Sequence, residues 1–202
     1  MEKILIIDYG SQYNQLIARR IRENQVFSEV IAHTENFNDY DFTDVKGIIL
    51  SGGPGSVYQA QAPKVPNVLL KKRIPILGIC YGMQAITHTL GGTVTPSKIR
   101  EYGRNTLILK GPSPLTKNMP QQSTVWMSHG DHVETPAQNY TVTAMSNDCI
   151  AILENPKTNI YLTQFHPEVT QSEFGDTLIK NFLFEICQVS PNFKIKDFIK
   201  ET

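Results

Sequence analysis

Pro75-Ile76-Leu77-Gly78-Ile79-Cys80-Tyr81-Gly82-Met83-Gln84 is the stretch on which the fold turns. An apolar run breaks into Gly-x-Cys-x-Gly and then into residues that favour helix. The pattern predicts a strand that turns sharply into a helix with a cysteine at the corner. That is the layout of a nucleophile elbow with Cys in place of Ser. Side chains two residues before and after the corner would collide, so Gly78 and Gly82 permit the turn. The corner also places the sulfur at a helix N-terminus, where unpaired N–H groups favour a thiolate.

Upstream, residues 3–7 are an almost continuous apolar run ending at Asp8-Tyr9-Gly10-Ser11, which reads as a buried parallel strand and a turn. Residues 13–23 predict a helix, with Leu16, Ile17 and Ile21 on one face and Arg19, Arg20 and Arg22 largely on solvated faces. Residues 26–32 and 47–50 predict two more strands, the second ending in Ser51-Gly52-Gly53-Pro54-Gly55. Residues 66–72 predict a helix, 74–79 the strand into Cys80, and 83–90 the helix after it, stopped by Gly91-Gly92. The alternation implies an α/β fold: an open, mostly parallel sheet flanked by helices. Residues 93–169 change in texture, with Thr, Pro, Asn and short β-like runs such as 106–109 and 140–144. These are expected as additional antiparallel strands. Residues 174–187 predict a closing helix, with Leu178, Ile179, Phe182, Leu183 and Ile186 at helical spacing. Ser190-Pro191 reads as a boundary, so residues 1–188 are expected as one domain and 189–202 as a linker or tail.

At 202 residues the chain is long enough to bury a substantial core. It carries 19 Lys plus Arg and 19 Asp plus Glu, a net charge of zero, which argues against nucleic acid or an anionic membrane as partner. Three irregularly spaced cysteines argue against a disulfide framework and for a reducing compartment, so a cytoplasmic location is expected. The N-terminal apolar run is too short for a signal peptide, and no run reaches the length of a membrane span.

Far from Cys80 lies Gln164-Phe165-His166-Pro167-Glu168-Val169. If residues 160–165 form a strand, His166 and Glu168 at i and i+2 point to one side. A carboxylate beside a histidine orients the ring and stabilises its protonated form, and the histidine can then move protons to and from a thiol. Sites of open parallel sheets gather at the carboxyl ends of strands, so Cys80, His166 and Glu168 are expected to meet there as a triad. The glycine loop adds a second ingredient: the N–H groups of Gly53 and Tyr81 could form an oxyanion hole. No motif of metal-ligand spacing accompanies His166, so no metal is expected. Cys149 and Cys187 read as structural, and His33, His88 and His132 as surface or packing residues.

Taken together, the Cys80 and His166 runs resemble the triad-type (class I) glutamine amidotransferases. Within that group the chain is similar to the glutaminase domains of GMP synthases through four more runs. They are Asp8-Tyr9-Gly10-Ser11-Gln12-Tyr13, Ser51-Gly52-Gly53-Pro54, Glu101-Tyr102-Gly103 and Trp126-Met127-Ser128-His129-Gly130-Asp131, in that order along the chain. The resemblance implies that Cys80 is the nucleophile, His166 the base and acid, Glu168 the orienting carboxylate, and Gly53 and Tyr81 the oxyanion donors. It implies that Gln84, Ser128, Gly130 and Asp131 hold the α-amino and α-carboxylate groups of L-glutamine or shape its pocket. It also implies a glutamyl thioester, release of glutamate and ammonia, and a synthetase partner that uses MgATP to aminate XMP. No cofactor is expected on this chain.

Two positions depart from the family pattern. Gly55 stands where many relatives carry Glu, and Thr163 stands where an apolar residue or Gly is commoner. The chain ends before any nucleotide-binding domain, and its tail from Phe193 resembles the linker into an ATP-pyrophosphatase domain, as expected of a fragment or a stand-alone subunit. Three alternatives stay open. The glycine loop superficially resembles a phosphate loop, although it lacks the Asp and Lys such loops use. The fold could serve as a silent scaffold. The acceptor could belong to anthranilate, carbamoyl phosphate or CTP synthesis. Glu101, Tyr102 and Arg104 could line a domain contact, and His129 could shape its loop.

Overall fold

A computed structural model describes residues 1–194 and Lys196, except the side chain of Ile99. Nine strands form one sheet: β1 (Lys3–Asp8), β2 (Phe27–Ala32), β3 (Val45–Leu50), β4 (Ile76–Ile79), β5 (Thr93–Leu109), β6 (Gln122–Thr135), β7 (Thr141–Ser146), β8 (Cys149–Asn155) and β9 (Ile160–Thr163). Their order across the sheet is β2-β1-β3-β4-β9-β8-β7-β5-β6. The β2-β1-β3-β4-β9 half is parallel, and every pairing from β9 to β6 is antiparallel. The expected architecture, a mostly parallel α/β sheet with added antiparallel strands, is the one observed.

Alternation along the parallel strands feeds two cores. Ile4, Ile6, Ile49, Leu77 and Ile79 face one side, where they pack with Ile17 and Ile21 of α1 (Asn14–Glu23) and with Leu178 of the closing helix. Leu5, Ile7, Ile48, Leu50 and Ile76 face the other side, with Leu69 of α2 (Asn67–Lys71) and Met83 and Ile86 of α3 (Tyr81–Thr89). In α1 the buried face is Asn14, Ile17, Ala18 and Ile21, while Leu16 is only half-buried.

Three elements differ from the sequence expectation. The run at 106–109 is the end of a long strand in a hairpin, a 17-residue β5 against a 14-residue β6. Its register shifts between Pro96 and Glu101, where proline can donate no ladder hydrogen bond. The closing helix is α4 (Gly175–Lys180) followed by a π-helical stretch, Asn181–Ile186. Within that stretch the Asn181 amide donates to the carbonyls of Leu115 and Lys117, which ties the helix to the loop before β6. The strand expected over 160–165 ends at Thr163.

The packed body continues past Cys187. Val189 and Phe193 are buried, the Phe193 N–H donates to the Gln25 carbonyl, and the Phe193 ring lies 5.5 Å from that of Phe27. The reading of the remaining tail as a linker falls on residues 195 and 197–202, which lie outside the described residues. No helix among the described residues is long and apolar enough to cross a membrane.

Candidate active site

Cys80 sits between β4 and α3 with φ 53° and ψ −106°, a conformation L residues rarely adopt and one that costs of order 1–3 kcal/mol. The corner is held on both sides. The Cys80 N–H donates to the Thr163 carbonyl at 2.7 Å, and its carbonyl accepts from Gln84 N–H at 3.2 Å. The flanking glycines are sterically required. A Cβ on Gly82 would lie 2.4 Å from the Leu50 carbonyl oxygen, and one on Gly78 would lie 2.8 Å from a Leu162 methyl. The elbow read from the sequence is therefore built by close approach of β3, β4 and β9.

His166 and Glu168 lie beyond β9, not on it. The His166 N–H donates to the Trp126 carbonyl at 3.0 Å, and Ser172 Oγ donates to the His166 carbonyl at 2.6 Å while accepting from Trp126 N–H. A turn pinned to β6 thus brings the two side chains together, where strand alternation had been expected to do so. His166 Nδ1 and Glu168 Oε1 are 2.7 Å apart, and both side chains are buried. Burial pushes the His166 pKa down. The Glu168 charge and hydrogen bonds to Cys80 and Glu168 push it up and win, so it stands well above the usual value. Tyr13 covers the ring edge-on, with centroids 5.1 Å apart. Glu168 Oε2 is buried without a hydrogen-bond partner.

The Cys80 thiol also contacts the Ser128 carbonyl at 3.6 Å and the Gln164 amide at 3.7 Å. Gln164 in turn accepts from Gln84, whose amide also donates to the Asp131 carbonyl, each at 3.1 Å. Gln84 is thereby fixed within the wall. Ser128 and Gly130 lie on β6 at the rim. The Arg100 side chain passes over Gly130, where an added Cβ would stand 3.6 Å from it. Gly53 packs against the turn just after β1: a Cβ there would lie 2.3 Å from the Tyr9 carbonyl oxygen. Tyr81 opens α3, so its N–H belongs to the first turn, whose amides have no intrahelical partner.

A cavity of about 790 Å³ collects Cys80, His166, Gly53, Gln84, Ser128, Gly130 and Asp131. Glu168 stands behind His166. A larger hollow of about 950 Å³ lies along residues 109–121, away from every residue named for chemistry. The two departures from the family pattern are accommodated. The Thr163 hydroxyl donates to the Phe165 carbonyl at 3.1 Å, and Gly55 lies against the Tyr81 ring.

Four residues near the site had no settled role in the sequence. Ser56 and Tyr58 both donate to Asp131. Glu101 pairs with buried His129 at 3.0 Å, and His129 Nδ1 contacts the Asp131 carbonyl at 2.6 Å. Burial lowers the His129 pKa, with the Asp131 carbonyl and Glu101 opposing. The Glu101–His129 pair thus braces the Asp131 backbone from below the cavity. With Cys149 these two form a trio whose ligand atoms lie within 4.8 Å of one another. All three cysteines are free and buried. Burial raises the Cys149 pKa to about 12, with Glu101 adding to the effect, and raises that of Cys187 well above its usual value.

The chain is similar to longer proteins. A GMP synthase (glutamine-hydrolyzing) of Petrotoga mobilis is 48% identical over 201 residues, covering 99% of this chain and 39% of that protein. One of Fusobacterium nucleatum is 47% identical over 200 residues, covering 98% and 39%. The chain therefore spans about two-fifths of the length of these relatives. Among solved structures, a putative GMP synthase subunit from Thermoplasma acidophilum superposes with a TM-score of 0.79 at 26% identity, covering 100% of this chain and 98% of that one. A glutamine amidotransferase of Thermotoga maritima shares the fold, with a TM-score of 0.72 at 21% identity over 99% and 91% of the two chains. The family described as class-I glutamine amidotransferase matches residues 5–186, from β1 to the last turn of the closing helix, and the chain belongs to that family.

Proposed function

We propose that this chain is the glutaminase of a GMP synthase. It hydrolyses L-glutamine to glutamate and supplies the ammonia to an ATP-pyrophosphatase domain or subunit. That partner uses MgATP to adenylate XMP and aminates it to GMP; no cofactor is assigned to this chain. The observation that carries the reading is that Cys80 and His166 line one cavity, with His166 2.7 Å from Glu168, in a chain 48% identical to a GMP synthase.

Each step follows from a group in place. Glu168 holds His166 Nδ1, which leaves Nε2 to face the Cys80 thiol. His166 takes the thiol proton, and Cys80 Sγ attacks the side-chain amide carbon. The N–H groups of Gly53 and Tyr81 receive the developing oxyanion, each such donor contributing about 3 kcal/mol. The C–N bond then breaks as His166 returns the proton to nitrogen, and ammonia leaves a glutamyl thioester. Water, deprotonated by His166, attacks that thioester. The C–S bond breaks, the thiol recovers its proton, and glutamate leaves. Gln84, Ser128, Gly130 and Asp131 form the wall for the amino-acid end of the substrate. The packed body through Phe193 acts as the glutaminase domain, in the cytoplasm.

The test is glutamate release from glutamine, with and without a GMP synthetase partner charged with ATP and XMP. Stimulation by the charged partner, lost in Cys80→Ala, is the expected result. No release in either condition from folded protein refutes the reading.

A further inference from the structure

The segment after the glycine loop reaches across the cavity mouth to β6. Ser56 Oγ donates to Asp131 Oδ2 at 2.6 Å, and Tyr58 OH donates to Oδ1 at 2.7 Å. Each oxygen of one carboxylate thus holds a hydroxyl, both from the same short segment. All three residues line the cavity that contains Cys80 and His166. Among the described residues, no Lys, Arg or His forms an ion pair with Asp131.

An ionised carboxylate offers about four acceptor positions, so two hydroxyl donors leave room for a further cationic donor. The two hydroxyls also fix the plane of the group. A carboxylate held this way does not have to be ordered when substrate binds, and that ordering would otherwise weaken binding. The Asp131 backbone is braced as well, through its carbonyl contacts with Gln84 and His129. Both backbone and carboxylate are therefore set before any ligand arrives, with the carboxylate at the cavity wall.

We infer that Ser56 and Tyr58 are positioning residues that hold the Asp131 carboxylate as the receptor for the substrate's α-ammonium group, so that binding selects an amide carrying a 2-amino group. The inference rests on the proposed glutaminase reading, in which Asp131 already faces the amino-acid end of the substrate, and adds two positioning residues to it. Neither hydroxyl touches the reacting amide, so their loss should appear in KM and not in kcat.

The experiment is steady-state glutaminase kinetics on the protein as it exists, with thermal unfolding as the folding control. Ser56→Ala with Tyr58→Phe should raise KM for L-glutamine about tenfold, the scale of losing hydrogen bonds to a charged group, and leave kcat within about twofold. Ser56→Thr, which keeps a hydroxyl, should hold KM near the parent value. In an Asp131→Asn background, which raises KM by itself, the Ser56 and Tyr58 substitutions should add nothing. An unchanged KM in the double variant, a loss falling on kcat, or full additivity with Asp131→Asn overturns the inference. Absence of any Cys80-dependent glutaminase in the parent refutes the functional reading instead, and this inference with it.

Discussion

Glu168→Gln removes one charge from the buried side of the site with little change of volume. Glu168 is fully buried and 2.7 Å from His166 Nδ1. Burial alone favours a neutral His166 ring, and the Glu168 charge is the largest influence opposing it. In the variant burial remains and that charge, the largest upward influence, is gone, so the upward shift shrinks. The sign of the pH dependence follows. A folded-state pKa raised above the unfolded one contributes stability that is complete below about pH 6.5 and is lost as pH rises through the folded value. One proton sets a limiting slope of about 1.4 kcal/mol per pH unit in that window. The parent should therefore exceed Glu168→Gln by about 3 kcal/mol near pH 6, and the gap should shrink steadily towards pH 9. We place it at the low end of the cost of breaking a buried pair because Glu168 Oε2 has no hydrogen-bond partner to lose. Urea unfolding of both proteins across this range, followed by the fluorescence of Trp126, measures the difference. A gap that is constant with pH, or that widens as pH rises, refutes the reasoning.

Cys80→Gly should be about 1 kcal/mol more stable than Cys80→Ala by denaturant midpoint, because φ 53° is free for glycine and strained for alanine; both should lack glutaminase activity. Alkylation of the folded protein near neutral pH should modify Cys80 alone by peptide mapping, since Cys80 lines the cavity and burial keeps Cys149 and Cys187 protonated; labelling of either at a comparable rate would contradict this. Gly82→Ala should cost more than about 3 kcal/mol or fail to fold, because the new Cβ would meet backbone of β3 at 2.4 Å; a thermal midpoint near that of the parent would mean that β3 yields easily.

What the sequence disclosed was what local pattern encodes. Apolar runs ending in glycine turns marked β1, β3 and β4, and Gly-x-Cys-x-Gly marked the elbow, because each needs only a few consecutive residues to be specified. The long β5–β6 hairpin stayed hidden. Its Thr- and Ser-containing strands carry no strong alternation of apolar residues, and the register break at Pro96 interrupts them. The His166–Glu168 contact was foreseen for the wrong local reason. The strand ends at Thr163, and Trp126 and Ser172, distant or unremarked in sequence, set the geometry. Ser56, Tyr58 and Gln164 acquire their surroundings only when remote segments meet, so nothing in their neighbours announced them.

The position of β9 bears on how activity appears during synthesis. The last of the nine described strands in chain order is not at an edge: it is inserted between β4 and β8, and its Thr163 carbonyl receives the Cys80 N–H. A growing chain can complete β1 to β4 and α3 and still lack the neighbour that fixes its cysteine, because domains form from the N-terminus as they emerge. The corner at Cys80 is thus completed only once β9 has been made, in the same event that joins the parallel and antiparallel halves. On the proposed glutaminase reading, an emerging polypeptide releases no ammonia before the whole sheet exists to contain the reaction.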